Sequence, residues 1–132
     1  MKITADTNVL VRAMIGDDEL QGALAQAELA AAELVAIALP SLCELVWVLS
    51  QGYKVASNEI ADAVRRLTNA ANVVVNRPAV EAGLALLDAG GDFADGVIAY
   101  EGRWLGGETF VSFDKKAVKR LTAQNKAARL LA

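Results

Sequence analysis

Short apolar runs alternate with helix-like segments along the whole of this chain, and strands separated by helices enter a common sheet through right-handed crossovers, which makes the sheet parallel and covers both its faces. Residues 2–5 form the first strand-like run, and Asp6-Thr7-Asn8 supplies the turn and N-cap chemistry for a helix over 9–14. Asp17, Asp18 and Glu19 place negative charge at the positive end of a second helix, over 20–32. Residues 34–39 read as the second strand. Pro40 and Ser41 open a third helix through Gln51, and Gly52 closes it as the residue best suited to a left-handed cap. A fourth helix starts at residues 57–60 and runs to about residue 70. Residues 72–76, Asn-Val-Val-Val-Asn, are the clearest strand, and Pro78 begins a fifth helix ending near Gly90-Gly91. Asp92 starts a sixth helix that reaches about residue 105, Gly106-Gly107 turn into a strand over 109–113, and residues 115–121 are helical. Residues 127–131 fit an edge strand or a helix end equally well.

A length of 132 residues and an apolar fraction of 55% fit one domain, residues 1–132, with ample material for a core. The opening Met1-Lys2-Ile3-Thr4-Ala5-Asp6 falls short of the run of about 7 to 15 apolar residues in an export signal. Glu44 interrupts the most apolar window, so no segment is expected to span a membrane and a cytoplasmic location is expected. The chain has no histidine, which removes the Ser-His-Asp triad, the histidine general base and histidine-containing zinc sites. Its single cysteine, Cys43, has no partner for an intrachain disulfide and reads as a small buried hydrophobe.

The net charge of −3 is unevenly spread. Residues 115–132 carry Lys115, Lys116, Lys119, Arg120, Lys126 and Arg129 with no acid, so all 16 acidic residues lie in the remainder. Such a tail suits either a phosphate backbone or a solvated helix face.

Acids recur where an apolar run yields to a helix: Asp6, Glu44, Asp92 with Asp95, and Asp114. Ligands of open parallel sheets bind beyond the carboxyl ends of the strands, and carboxylates converging there repel one another unless a cation lies between them. Each acid also has a structural role open to it. Asp6 and Asp114 suit helix N-caps, and Asp92 with Asp95 three residues on suits an acidic capping box. Glu44 is the only charged residue between Glu33 and Lys54. It shares a helix face with Ser41, Trp47, Val48 and Gln51, whereas Leu42, Leu45, Val46 and Leu49 form the core stripe.

These residues carry a resemblance. Asp6-Thr7-Asn8-Val9-Leu10, Glu44 within Leu42-Cys43-Glu44-Leu45, the run from Asp92 through Asp95 and Gly96 to Ile98-Ala99, and Ser112-Phe113-Asp114 follow the order and spacing of PIN-domain ribonucleases. The chain looks most similar to the VapC-type toxins of bacterial toxin-antitoxin pairs. The resemblance implies a three-layer α/β fold with a central parallel sheet in the order 3-2-1-4-5. It also implies Mg²⁺- or Mn²⁺-dependent cleavage of RNA, a homodimer, and a cognate antitoxin protein as partner. Asp6, Glu44, Asp95 and Asp114 are then the catalytic carboxylates, with Asp6 and Asp95 closest to the metal. Asp95 is preferred to Asp92 because it precedes Ile98 by three residues. Asn8, Asp92 and Ser112 would support the site, and Asp92 is either an additional acid or only a helix cap. Gly96 departs from the small helix-favouring residue common in the family. Lys115, Lys116, Lys119 and Arg120 are the candidate RNA contacts, joined by Tyr53 and Tyr100. Trp47 and Trp104 are expected in core or dimer packing ahead of base stacking.

Oxygen-only ligands suit a hard cation that lowers the pKa of a bound water for in-line attack on phosphorus, leaving 5′-phosphate and 3′-hydroxyl ends. Three other readings compete. A non-catalytic RNA- or protein-binding module would keep the fold without the chemistry. A haloacid-dehalogenase-type phosphotransferase also places an Asp after its first strand, but Asn8 stands where such enzymes carry a second one. A receiver domain needs an acidic neighbour that Asp6 lacks.

Overall fold

The alternation resolves, in a computed structural model that describes residues 1–132, into five short strands and seven α-helices. They divide between two units, Met1–Asn76 and Arg77–Ala132.

In the first unit β1 (Lys2–Thr4), β2 (Leu34–Ala36) and β3 (Val73–Val74) pair in parallel, in the order 3-2-1. The central Val35 is opposite Ile3 on one side and Val73 on the other and is fully buried, as a strand covered on both faces requires. The edge strand β3 is shorter than the 72–76 read from the sequence. Asn72 still meets β2, its carbonyl accepting the Val35 N–H at 2.7 Å, while its side-chain amide donates to the carbonyls of Leu29 and Ala32 at 2.9 and 3.0 Å at the end of a helix.

Four helices accompany this sheet: α1 (Thr7–Met14), α2 (Glu19–Ala31), α3 (Leu39–Trp47) and α4 (Ser57–Thr68). Asp18 caps α2 by accepting the Gln21 N–H at 2.9 Å. The stripe Leu42, Leu45, Val46 and Leu49 is buried as its spacing predicts. After Trp47 the helix widens into a π-helical turn, Val48–Gly52, closed by the Tyr53 N–H on the Val48 carbonyl at 3.1 Å. The wider turn carries the helix end past Gly52, and the left-handed position expected there falls on Lys54, at φ 55°. Trp47 lies on the face opposite the stripe and is 66% exposed, so it is no core residue. Cys43 is half-buried. The Tyr53 hydroxyl donates to Asp17 at 2.8 Å, and Asp17 also pairs with Arg12 at 3.1 Å. That bond pushes the phenol up and pulls the Asp17 carboxyl down.

The second unit contains α5 (Arg77–Asp88), α6 (Phe93–Trp104), β4 (Phe110–Ser112), α7 (Lys115–Ala123) and β5 (Ala128–Leu130). Val111 is opposite Arg129 in a parallel β4–β5 pair, which settles the last segment as a strand. Of the expected order 3-2-1-4-5, only the pairings 3-2-1 in the first unit and 4-5 in the second are seen, and no pairing of β1 with β4 joins them. The five strands do not form the one continuous ladder expected.

Helices α5 and α6 lie unusually close. A Cβ on Gly83 would sit 2.7 Å from Cε1 of the buried Phe93, and one on Gly96 would collide with the Ala82 carbonyl oxygen. Gly96 is therefore where two backbones meet, and the helix propensity it forgoes is secondary. Between the helices the chain turns at Gly90, φ 86°, while the Gly91 N–H reaches back to the Leu86 carbonyl at 2.7 Å. Trp104 is 77% exposed and donates its indole N–H to the Tyr100 hydroxyl at 2.6 Å. It too lies outside the core. No helix is long and apolar enough to cross a membrane.

Candidate functional site

Asp92, Asp95 and Asp114 are brought to neighbouring helix starts in the second unit. Asp92 is the N-cap of α6 and accepts the Ala94 N–H at 3.0 Å. Asp114 is the N-cap of α7 and accepts two, from Lys116 at 3.0 Å and Ala117 at 3.1 Å. Ser112, the last residue of β4, receives the Asp114 N–H on its hydroxyl oxygen at 2.9 Å. Strand end, hydroxyl and cap thus form one connected turn.

Asp95 differs from both. It lies in the first turn of α6, half-buried, and its carboxyl is pushed above the ordinary carboxylate range. Loss of solvent is the largest cause, followed by the negative charges of Asp92 and then Asp114. The capping box expected at this helix start is therefore half made. Asp92 caps, while Asp95 projects its charge into a region already negative. An acid held in this way gains from a cation placed beside it.

The other two acids belong to the first unit. Asp6 holds the N-cap position of α1, with extended backbone, yet its side chain accepts no capping hydrogen bond. The structural role that its position offers is left unused. Asn8 is exposed on the first turn of the same helix. Glu44 is exposed on α3, which packs against α1, so it carries no burial cost that would call for a counter-charge.

Of the basic residues, Lys115, Lys116 and Lys119 are exposed on α7 and free to meet solvent or phosphate, whereas Arg120 is half-buried. A concavity of about 1010 Å³ in the second unit runs beside Ile98, Tyr100, Trp104, Phe110, Val111 and Lys126, and Asp92, Asp95 and Asp114 do not line it. Trp104 stands nine residues after Asp95, on the opposite side of α6. Concavity and acidic chemistry are thus separate features of this unit.

No three acidic or thiol side chains form a preassembled ligand cage. The donors present fit a hard cation of the Mg²⁺ kind, which takes one or two carboxylates and keeps several waters. Sequence reasoning overlooked the contacts of Gly83 and Gly96. Small residues on consecutive helices were the available signal, but helical periodicity says nothing about which glycine faces a neighbouring backbone.

A family profile described as PIN domain matches residues 3–123. No curated protein matches the chain.

Proposed function

The chain belongs to the PIN-domain family, whose members are generally nucleases, and from that premise we propose that it is a metal-dependent endoribonuclease and the toxin of a toxin-antitoxin pair. The observation that carries the reading is Asp95: a half-buried carboxylate on the first turn of α6, crowded by Asp92 and Asp114. Asp6, with a cap position and no cap bond, supports it from the first unit.

Asp6, Glu44, Asp95 and Asp114 are the proposed carboxylates, with Asp6 and Asp95 as the direct metal ligands. Mg²⁺ or Mn²⁺, when bound, supplies an acidified water and screens charge on the phosphate. The chain's own contribution is to hold the ligands and admit the substrate. The surroundings of Asp95 disfavour its charged form, so a cation beside it would relieve that cost. Asp114 is held by three hydrogen bonds, one through its own N–H and two to its carboxylate, and so has little freedom to rotate away. Lys115, Lys116 and Lys119 are placed to draw the RNA backbone toward α7 without reading its bases. The antitoxin, the homodimer and the cytoplasmic location complete the proposal and rest on the VapC-like sequence pattern.

The decisive experiment incubates the purified protein with total RNA and Mg²⁺ or Mn²⁺, beside Asp6→Asn and Asp95→Asn, and maps the ends produced. Discrete cuts with 5′-phosphate and 3′-hydroxyl ends, abolished in both variants and by EDTA, are expected. Ends bearing 2′,3′-cyclic phosphate that survive EDTA would overturn the mechanism. An Asp6→Asn protein as toxic in cells as the parent would favour a non-catalytic binding module.

A further inference from the structure

We propose that Arg120 and Gln124 are positioning residues for the acidic cluster: they fasten α7, which starts at Asp114, to the turn that delivers Asp92 and Asp95. The functional part of this inference rests on the metal-site reading above; the fastening itself does not.

Two contacts one helical turn apart on α7 grip the end of α5. The Gln124 side-chain amide donates to the Ala85 carbonyl at 3.0 Å, in the last turn of α5. The stem of Arg120 crosses the Gly90-Gly91 turn so closely that a Cβ on Gly91 would lie 3.0 Å from its Cδ, and one on Gly90 would lie 3.7 Å from its guanidinium nitrogen. Gly91 is thus the socket for the arginine stem. Its missing side chain leaves the room, and the bond from its N–H to the Leu86 carbonyl holds it in place.

From these contacts the frame runs both ways to the carboxylates. Asp114 lies six residues before Arg120, about 9 Å up α7. Asp92 follows Gly91 directly, and Asp95 is one helical turn further. Like charges at the starts of α6 and α7 repel, and the contacts of Arg120 and Gln124 oppose that repulsion by tying α7 to the α5–α6 turn. Half-buried on the turn, Arg120 takes no part in RNA contact in this proposal, unlike the exposed Lys115, Lys116 and Lys119, although it shares their helix and sign.

The test uses the full chain with Arg120→Ala, Arg120→Lys and Gln124→Ala, and two readouts. In metal-free protein, hydrogen exchange at Gly91 and Ala94 is expected to speed by about tenfold in Arg120→Ala, with the buried middle of α5 keeping its protection. In cleavage assays the Mn²⁺ concentration for half-maximal rate should rise by about tenfold. The rate at saturating Mn²⁺ and the KM for RNA should stay near the parent's. Arg120→Lys, which keeps the stem, should restore most of both, and Gln124→Ala should reproduce a milder form of the loss. A raised KM for RNA at unchanged Mn²⁺ demand would make Arg120 a phosphate contact and overturn the proposal. So would uniformly faster exchange, or none. If the parent cleaves no RNA, the function fails while the exchange result still decides the fastening.

Discussion

The hydroxyl oxygen of Ser112 accepts the backbone N–H of Asp114 at 2.9 Å, so the residue that ends β4 also fixes the residue that caps α7. Ser112→Ala removes this bond and is expected to cost about 1 kcal/mol in urea denaturation. Its cleavage rate should fall, because Asp114 loses one of the bonds that orient it. Ser112→Thr retains the acceptor and should behave like the parent in both assays. Equal rates for the alanine and threonine variants would show that the hydroxyl has no part in placing Asp114.

Asp6 and Asp114 occupy the same helical position but differ in what they do there. Asp114→Ala discards two backbone hydrogen bonds and should lower stability by about 1 kcal/mol as well as activity. Asp6→Asn discards none, so its melting curve should stay within about 0.5 kcal/mol of the parent's while cleavage is lost. A stability loss in Asp6→Asn as large as in Asp114→Ala would mean that Asp6 acts as a cap.

The raised Asp95 carboxyl gives a signed pH dependence. A proton held more tightly in the folded than in the unfolded protein stabilises folding below the ordinary carboxylate value, and that stability is lost as pH rises through the raised folded value. Metal-free Asp95→Asn should therefore lose less stability than the parent as pH rises through and above the ordinary carboxylate range. Metal competes with the same proton. At subsaturating Mn²⁺ the acid edge of the cleavage profile should lie above the ordinary carboxylate range, and Asp92→Asn should shift it to lower pH by removing the stronger repelling charge. An edge that stays put in Asp92→Asn would exclude Asp95 as the group titrating there.

Gly96→Ala sets two effects against each other. Alanine favours a helix by about 1 kcal/mol over glycine. Its methyl group, however, would meet the Ala82 carbonyl and the Gly83 Cα, and forcing extra volume into such a contact typically costs about 1 to 3 kcal/mol. Packing should win, so chemical denaturation is expected to show net destabilisation. A stabilised Gly96→Ala would mean that the helices can part there without penalty.

Element types were legible wherever local chemistry decides them. Asp18, Asp92 and Asp114 stand at helix starts because a short acceptor there meets free N–H groups. The core stripe of α3 follows from spacing alone. What the sequence hid depends on neighbours distant in the chain. Gly52 has the composition of a left-handed cap, but the π-helical turn moved that position to Lys54. The two tryptophans have apolar sequence neighbours yet face outward, since helix rotation is set by what lies underneath. The acids were legible as a set in order. Which of them is a satisfied cap and which carries an uncompensated charge required hydrogen bonds to be seen.

The close passage of α5 and α6 has a consequence for the chemistry next to it. Gly96 adjoins Asp95 in sequence, and the space it occupies is bounded by the backbone of residues 82 and 83. Metal coordination tolerates errors of about 0.2 Å in ligand distance, a small fraction of the displacement one inserted methyl group demands. On the proposed metal-site reading, Gly83 and Gly96, which have no side chain to contribute to any reaction, act as the gauge for Asp95. With Asp95 as a ligand, the admissible sequence at this crossing would be limited by the radius of an ion as much as by the volume of a core.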